Sequence, residues 1–304
     1  MFSIIIPLYN KAGCFAATVE SVLNQTYDDF ELIIVNDGST DNSLEIAESF
    51  TDSRIRIFSK KNGGVSAARN YGIERAEMPF IAFLDADDFW ELNYLEEMNA
   101  LIKKYPECGM YASAHQIIYP QKAEAQCESV PEGIVEEYFK TLIDQPVTWT
   151  SATVIRKTVF DNLGGFPVGM VAGQDSFTWA KIGARYQVAF TPKVLAAYNL
   201  IYSGGNLRAG KADTCKENWI DLYEEGKYFQ NEFIAQKAIK AGIRHATGLH
   251  KQKSREIERD FSYTRLTKRR WRILYLLNRM PPAGINAYLK LYDSYMNFKF
   301  NLKS

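Results

Sequence analysis

Several common signals of a functional site are missing from this chain of 304 residues. It has no GxGxxG and no GxxxxGK[ST] segment, which excludes the usual dinucleotide and NTPase phosphate loops. Its four cysteines form no CxxC pair and its three histidines lack metal-ligand spacing, so no zinc site or disulfide framework is indicated. No run of about 18 apolar residues is present, and the apolar start lacks the basic region of a signal peptide. We therefore expect a cytoplasmic protein without a transmembrane helix.

The composition is ordinary, but the charge is unevenly distributed. With 46% hydrophobic and 24% charged residues, the chain can form one large α/β domain with an appendage, or two small domains. Residues 244–304 contain 14 Lys and Arg against 4 Asp and Glu, whereas residues 1–243 contain 22 against 32. The basic tail predicts an anionic surface as its partner, either membrane lipid or nucleic acid.

The first hundred residues alternate between strand and helix patterns. The strands are expected at Phe2–Pro7, Glu31–Val35, Ile55–Phe58 and Phe80–Leu84, and the helices at Ala12–Leu23, Ser43–Phe50, Gly64–Ala76 and Leu92–Tyr105. This alternation is typical of a parallel sheet with right-handed crossovers. Further strands are expected at Met110–Tyr119, Thr150–Ile155, Gln187–Phe190 and Val194–Ile201, with a helix at Ile134–Leu142 and a helical pattern from about Asp213.

The segment that follows the fourth strand is the most informative one. Asp85, Asp87 and Asp88 come directly after an apolar run of strand length. Ligands of open α/β sheets bind beyond the carboxyl ends of such strands. Clustered carboxylates repel one another unless a cation neutralises them, and Mg²⁺ typically takes one or two carboxylates plus substrate phosphates. The segment therefore predicts a site for a metal ion and a diphosphate, although Asp87 or Asp88 could also cap the next helix.

Two other loops are expected at the same edge of the sheet. The PLYN segment, residues 7–10, follows the first strand, and the DGSTD segment, residues 37–41, follows the second. Gly63 and Gly64 open the third helix, whose first N–H groups could bind an anion. Each loop alone could be a simple turn or helix cap, but their shared position at the carboxyl side of the sheet favours a functional site.

Together these motifs resemble those of family 2 nucleotide-sugar glycosyltransferases. The resemblance is carried by FSIIIPLYNK, QTYDDFELIIVNDGSTD, NGGVSAARNYGI and FLDADDFW, which span residues 2–90, and it continues more loosely to about residue 205. It implies a GT-A fold, a Rossmann-like and mostly parallel central sheet flanked by helices. It also implies a UDP-sugar or similar donor and a divalent cation, Mn²⁺ or Mg²⁺.

The resemblance also implies roles for individual residues. Pro7, Tyr9 and Asn10 would line the nucleoside pocket, Asp37 would hold the base, Arg69 would face the nucleotide, Asp85 would contact the ribose or uracil region, and Asp87 would bind the metal. Asp88 is either a support for these carboxylates or a helix cap. The alternative for Arg69 is a surface charge on the third helix.

The resemblance implies a catalytic base in the segment Gly173-Gln174-Asp175. Family members commonly have Glu-Asp here, so Gln174 replaces the glutamate and Asp175 would be the base. A single base opposite the leaving group implies inversion at the anomeric carbon. The alternative is that Asp175 caps a helix over residues 176–182. Trp149 and Gln174 are placed on the acceptor side. For Trp149 the reason is that aromatic faces commonly hold sugar rings, although aromatic side chains more often pack in the core.

We therefore predict a GT-A catalytic domain over residues 1–210 and a helical, basic extension over residues 211–304. The nucleotide-binding half would be residues 1–105 and the acceptor-side half residues 106–210. The predicted enzyme transfers a sugar to a glycan or lipid-linked acceptor, as in bacterial polysaccharide biosynthesis. No nucleic-acid partner is expected. The basic and apolar residues 265–279 predict either peripheral association with the inner face of the cell membrane or a solvated basic helix face. The alternatives are a degenerate nucleotide-sugar binding protein and a sugar nucleotidyltransferase.

Overall fold

A computed structural model describes residues 1–202 and 212–301 of the chain, with side chains to residue 291. The chain divides into two compact units, residues 1–205 and 206–304. The predicted boundary between residues 210 and 211 lies outside the described residues. The division of the first unit into a nucleotide half and an acceptor half stays a prediction.

The first unit contains ten strands and seven α-helices in its described residues. The strands are β1 (Phe2–Leu8), β2 (Phe30–Asn36), β3 (Ile55–Ser59), β4 (Phe80–Phe83), β5 (Phe89–Trp90), β6 (Met110–Tyr119), β7 (Lys122–Gln126), β8 (Gly133–Ile134), β9 (Thr153–Arg156) and β10 (Val188–Asn199). The helices are α1 (Phe15–Leu23), α2 (Ser43–Glu48), α3 (Val65–Arg75), α4 (Tyr94–Lys104), α5 (Tyr138–Asp144), α6 (Lys157–Leu163) and α7 (Gln174–Gly183).

These strands form one sheet in the order β3-β2-β1-β4-β9-β6-β10-β5, with β7 beside β6 and β8 beside β10. Strands β1 to β4 pair in parallel, as the alternating pattern predicts. Strand β9 is antiparallel to both β4 and β6, while β6 and β10 are parallel. Strand β1 has β2 on one side and β4 on the other, so the chain connections on its two sides run in opposite directions. A crevice is expected at the carboxyl ends of these strands.

The sheet has an apolar layer of helices on each face. Alternate residues of β1 point to opposite faces, so that Ile4 and Ile6 pack with α1, α2 and α4, whereas Ile5 packs with α3, α6 and α7. Strands β1, β2 and β4 are buried on both sides, which explains why their sequences are continuous apolar runs.

Three predictions for residues 106–205 are wrong in detail. The single strand β10, Val188–Asn199, replaces the two strands expected over residues 187–201, because shifts of register between Thr191 and Ala196 absorb the proline at position 192. The helix expected at 134–142 begins only at Tyr138, since Gly133 and Ile134 pair with β10. Residues 150–152 form a short 3₁₀ turn before β9 rather than part of the strand.

The second unit is helical, as predicted. Its α-helices are α8 (Tyr228–Thr247), α9 (Lys251–Asp260), α10 (Lys268–Leu277) and α11 (Pro282–Asn301), preceded by a 3₁₀ turn at Trp219–Leu222. Among the described residues, no helix is both long enough and apolar enough to cross a membrane.

A buried carboxylate stabilises the start of α10. Glu232 on α8 is 2% exposed and accepts hydrogen bonds from the N–H groups of Arg265 and Leu266 and from the Thr264 hydroxyl, at 2.7, 3.1 and 2.6 Å. Its negative charge is therefore compensated by donors next to the positive end of a helix.

Candidate active site

The loop after β1 is tied to the loop after β2. Asn10 has a left-handed backbone, with φ of 51°, and its side-chain amide bonds to the hydroxyl and N–H of Thr40 at 3.2 and 2.8 Å. Its own N–H donates to the Ser39 hydroxyl at 3.2 Å. Pro7 lies inside β1, and Tyr9 is 42% exposed. Of the three residues predicted for the nucleoside pocket, Asn10 thus also orders the loop, while the ring of Tyr9 is exposed.

Asp37 lies at the N-terminus of α3 and is 3% exposed. Its carboxylate accepts the N–H groups of Gly63 and Gly64 at 2.9 and 2.7 Å and forms an ion pair with Lys60. The anion held by the glycine turn is therefore Asp37 itself. A carboxylate at a helix N-terminus is favourable because it faces the positive end of the macrodipole. This arrangement fixes the loops after β2 and β3 relative to each other.

Asp85, the first carboxylate after β4, is paired with Arg69 of α3. Arg69 is 2% exposed, so it is not a surface charge, and its guanidinium also lies over the Phe166 ring, 5.1 Å from the centroid. Asp85 remains about one-third exposed. A buried guanidinium that is held on one side by an aromatic ring fixes the position of the carboxylate that it binds.

Asp87 forms an ion pair with Lys11 from the loop after β1. Lys11 Nζ lies 2.5 Å from Asp87 Oδ2 and donates to the Tyr202 carbonyl at 3.0 Å. The side chain of Asp87 is 12% exposed. Burial raises the pKa of Asp87 above its ordinary value, and Lys11 opposes that shift.

Asp88 is a buried support and not a helix cap. Helix α4 begins at Tyr94, and Asp88 instead accepts the Ser151 hydroxyl at 2.6 Å and the Asn199 N–H at 3.1 Å. Ser151 also accepts the N–H of Asp85 at 3.1 Å, so one hydroxyl connects two residues of the acidic loop. Burial, followed by the nearby charge of Asp85, raises the pKa of Asp88 well above its ordinary value.

The donor set suits an ion that shares its ligands with a substrate. Among residues 1–202 and 212–301, no three His, Cys, Asp or Glu side chains are grouped to enclose a metal. Mg²⁺ and Mn²⁺ sites that include substrate phosphates need only one or two protein carboxylates. Asp87 fits that requirement, with Asp85 in the same loop, whereas both oxygens of Asp88 already accept hydrogen bonds from protein groups.

Asp175 lies in the first turn of α7, whose N-cap is Gly173 with φ of 83°. Asp175 is the second residue of the helix and not its N-cap, and no ion pair joins it to another described residue. The neighbouring Gln174 is buried, and its Oε1 atom has no hydrogen-bond partner among the described groups. Asp175 is thus left available at the start of its helix.

A side-chain clamp holds the loop that leads to Asp175. The amide of Asn70, next to Arg69 on α3, accepts the Phe166 N–H at 2.7 Å and donates to the Phe166 carbonyl at 2.9 Å. The contact is so close that a Cβ on Gly165 would lie 2.2 Å from Asn70 Oδ1. The loop after α6 is therefore held against the same helix that positions Asp85.

Trp149, predicted on the acceptor side, belongs to an aromatic stack. Its ring lies on His115, with centroids 4.7 Å apart, and contacts Tyr198 at 5.3 Å. Trp149 is half-buried and lies two residues before Ser151. Burial lowers the pKa of His115 to about 4. The indole is therefore held by neutral aromatic neighbours beside the acidic loop.

Sequence reasoning missed roles for Lys11 and Ser151. The neighbouring positions of β1 and β4 in the sheet bring Lys11 to Asp87, although the two residues are 76 apart in the chain. The position of Lys11 directly after the PLYN segment could have indicated this pairing, because it lies at the same sheet edge as the carboxylates. Nothing in the sequence marks Ser151, whose role depends on the turn before the antiparallel strand β9.

Comparisons with known proteins agree with these observations. A family model described as "Glycosyl transferase family 2" matches residues 3–164. An uncharacterized glycosyltransferase of Rickettsia bellii is 35% identical over 185 residues, which are 60% of this chain and 26% of that protein. The chain spans only 26% to 33% of the length of the Rickettsia relatives that it matches.

Two solved structures with a similar fold are complexes with nucleotide sugars. The structure of S. aureus TarS 1–349 in complex with UDP-GlcNAc has a TM-score of 0.60 and 20% identity, covering 90% of this chain and 79% of that one. Mannosyltransferase PcManGT from Pyrobaculum calidifontis, in complex with GDP-Man and Mn²⁺, has a TM-score of 0.54 and 16% identity, covering 98% and 82%. At these identities the likeness establishes a shared fold.

Proposed function

Because this chain belongs to glycosyl transferase family 2, we propose that it is a glycosyltransferase, which transfers a sugar from a nucleoside-diphosphate donor with inversion. The predicted family and the predicted GT-A fold, with helices on both faces of the sheet and at the C-terminal end, are confirmed. The donor, the cation and the acceptor form the proposal.

One observation carries the proposal: contacts join the loops after β1, β2 and β4 at one edge of the sheet. Asn10 binds Thr40 in the second loop, and the next residue, Lys11, binds Asp87 in the third. A crevice at the carboxyl ends of parallel strands is where open α/β sheets bind nucleotides. The complexes of TarS with UDP-GlcNAc and UDP support a uridine nucleotide as the donor carrier.

In this site Asp87 would hold a divalent cation, with Asp85 in the same loop. The cation would supply Lewis-acid stabilisation of the diphosphate leaving group. The Mn²⁺ in the PcManGT complex supports this assignment. Arg69 keeps Asp85 in position, and Asp37 keeps the glycine turn in position for the base.

Asp175 is the proposed general base. Its carboxylate takes the proton of the acceptor hydroxyl while the hydroxyl oxygen forms a bond to the anomeric carbon. The bond from that carbon to the diphosphate oxygen breaks, and the nucleoside diphosphate leaves with the electron pair. Attack opposite the leaving group inverts the anomeric centre. A base of this kind contributes about 10²–10⁴-fold to the rate.

The acceptor is proposed to be a glycan or a lipid-linked glycan, with the half-buried ring of Trp149 as a platform for a sugar ring. In the second unit, α10 supports contact with anionic lipid. Its exposed residues include Arg269, Arg270 and Arg272 beside Leu276, a composition typical of helices that lie on membranes. Sedimentation with anionic and neutral vesicles tests this contact, which neutral vesicles should not support.

The experiment for the reaction uses donor hydrolysis and transfer with Mn²⁺. We expect the wild type to release UDP slowly from a UDP-sugar, and Asp87→Asn to lose both the release and the Mn²⁺-dependent binding of UDP. Asp144→Asn, an exposed aspartate on α5, is the control and should behave as the wild type. Persistence of metal-dependent UDP binding in Asp87→Asn would contradict the metal assignment.

Asp175→Asn separates an active enzyme from the alternative of a degenerate binding protein. We expect it to bind UDP as tightly as the wild type and to lose about 10²-fold or more in transfer rate. If Asp175→Asn transfers at the wild-type rate, another group is the base. A wild type that binds donors but never releases UDP would favour the binding protein. Formation of a UDP-sugar from UTP and a sugar phosphate would favour the nucleotidyltransferase.

A further inference from the structure

Lys11 is the only cation paired with Asp87 in the described part of the chain. The two side chains are 21% and 12% exposed, so the ion pair is largely shielded from water. Asp85 has its own cation, Arg69, and Asp88 is satisfied by neutral donors. The charge of Lys11 thus compensates the carboxylate to which the proposed function gives the divalent cation.

The ammonium group of Lys11 and a divalent cation compete for the carboxylate of Asp87. Lys11 Nζ lies 2.5 Å from Asp87 Oδ2, whereas a metal ligand oxygen lies about 2.0–2.1 Å from Mg²⁺. Both partners are positive, and like charges at such distances repel strongly in a shielded site. Binding of the cation to Asp87 therefore favours the release of Lys11.

The backbone of Lys11 is held in place, so its release from Asp87 requires movement of the side chain alone. Its N–H donates to the Ser43 hydroxyl at 2.8 Å, and its carbonyl accepts the N–H groups of Cys14 and Phe15 at 3.1 and 3.0 Å. The backbone is thereby fixed at the start of α1. A displaced ammonium on a long side chain stays within reach of the same crevice, where the diphosphate of the donor brings new negative charge.

From these contacts we propose that Lys11 is the resident cation of the donor-free site and becomes a ligand of the donor diphosphate. It competes with the divalent cation for Asp87 and, once displaced, binds phosphate oxygens. This inference rests on the proposed function. It makes the binding of cation and nucleotide cooperative, because the nucleotide supplies a new partner for the displaced charge.

The test measures three affinities without any turnover. Wild type, Lys11→Met and Lys11→Gln are titrated with Mn²⁺ alone, with UDP in EDTA, and with UDP in excess Mn²⁺, at about pH 8 to keep Asp87 ionised. Free Mn²⁺ is followed by its electron paramagnetic resonance signal, and UDP by calorimetry. Lys122→Met is the control, because Lys122 forms an exposed ion pair with Glu124 on β7.

The two Lys11 variants should shift the affinities in opposite directions. We expect Mn²⁺ alone to bind at least about tenfold more tightly, because its competitor is gone. We expect UDP to bind about tenfold more weakly, because the free energy of a charged hydrogen bond corresponds to about that change in affinity. The enhancement of UDP binding by Mn²⁺ should shrink accordingly. Lys122→Met should match the wild type in all three titrations.

Opposite results would overturn the inference. If either folded Lys11 variant binds Mn²⁺ no more tightly than the wild type, Lys11 is not a competitor. If UDP affinity is unchanged, Lys11 is not a diphosphate ligand. Near-UV circular dichroism identifies a variant that does not fold, and the other variant then decides. Failure of the proposed function would give a different result. The wild type itself would then bind neither Mn²⁺ nor UDP, or Asp87→Asn would bind Mn²⁺ as tightly as the wild type.

Discussion

The close contact between Gly165 and Asn70 makes a strong prediction for Gly165→Ala. A Cβ at position 165 would lie 2.2 Å from Asn70 Oδ1 and 2.8 Å from its Cγ, so the amide must move. Moving it breaks both hydrogen bonds to Phe166, at 2.7 and 2.9 Å. Asn70 would then no longer hold the loop against α3.

The expected cost follows from these contacts. Each broken hydrogen bond costs about 1 kcal/mol, and forcing a methyl group into a packed position costs about 1–3 kcal/mol. We therefore expect Gly165→Ala to lower the free energy of opening of this loop by about 3–5 kcal/mol. That corresponds to exchange of the Phe166 amide hydrogen that is at least roughly 100-fold faster.

Native-state hydrogen exchange of the Phe166 amide is the assay, with Gly13→Ala as the control. No atom lies within 4 Å of the position of a Cβ on Gly13, so this substitution should change stability by less than about 0.5 kcal/mol. A double variant provides a second check. In an Asn70→Ala background the clashing amide is gone, and Gly165→Ala should add little. Wild-type exchange in Gly165→Ala would refute the reasoning.

Three further predictions concern buried polar groups. The pKa of His115 is lowered by burial to about 4 from 6.5, so below pH 6.5 only the unfolded state takes up its proton. Stability should fall by about 3 kcal/mol as the pH drops from 6.5 to about 4, and His115→Gln should remove that part of the decline in urea titrations at several pH values. Glu232→Gln places a donor against the N–H groups that the carboxylate now accepts. It should lower the stability of the second unit by about 2 kcal/mol in thermal unfolding, whereas the exposed Glu225→Gln should not. Ser151→Ala removes a hydrogen bond from buried Asp88, so we expect a loss of about 1–3 kcal/mol in urea unfolding and weaker Mn²⁺-dependent UDP binding; an unchanged value of both would contradict the bridging role of this hydroxyl.

The first part of the fold was predictable because its strands are buried on both faces. Such strands appear as continuous apolar runs, and neither β1 nor β2 extends more than one residue beyond a predicted end. Parallel pairing then places the residues that follow each strand at one edge, whatever the details of the loops. The positions of Asp37 and Asp87 followed from this geometry.

Residues 106–205 were harder because their strands depend on partners far away in the chain. The local pattern places Ile134 in a helix, yet it pairs with Ala189 of β10. For β10 itself the local pattern predicts two strands, whereas an irregular register with β6 allows one strand to continue past the proline at position 192. Tertiary pairing of this kind overrides local propensity.

The identity of the acidic residues was predictable, but their partners were not. The clustering of Asp85, Asp87 and Asp88 indicates that their negative charge must be compensated, but it does not indicate which residues supply the compensating groups. The compensating groups lie on other elements, with Lys11 as the clearest case. The choice between support and cap for Asp88 likewise depended on Asn199, which is 111 residues away.

The same long-range contacts determine when the site can form during synthesis. A nascent chain of 105 residues can already pair β1 to β4, but the outer edge of β4 is covered only when Thr153–Arg156 emerge. The donors to Asp88 arrive later still, the last of them at Asn199. Until then the nascent chain presents the apolar edge of β4, which favours aggregation or engagement of chaperones. A premature stop before Thr153 would therefore leave that edge uncovered for good.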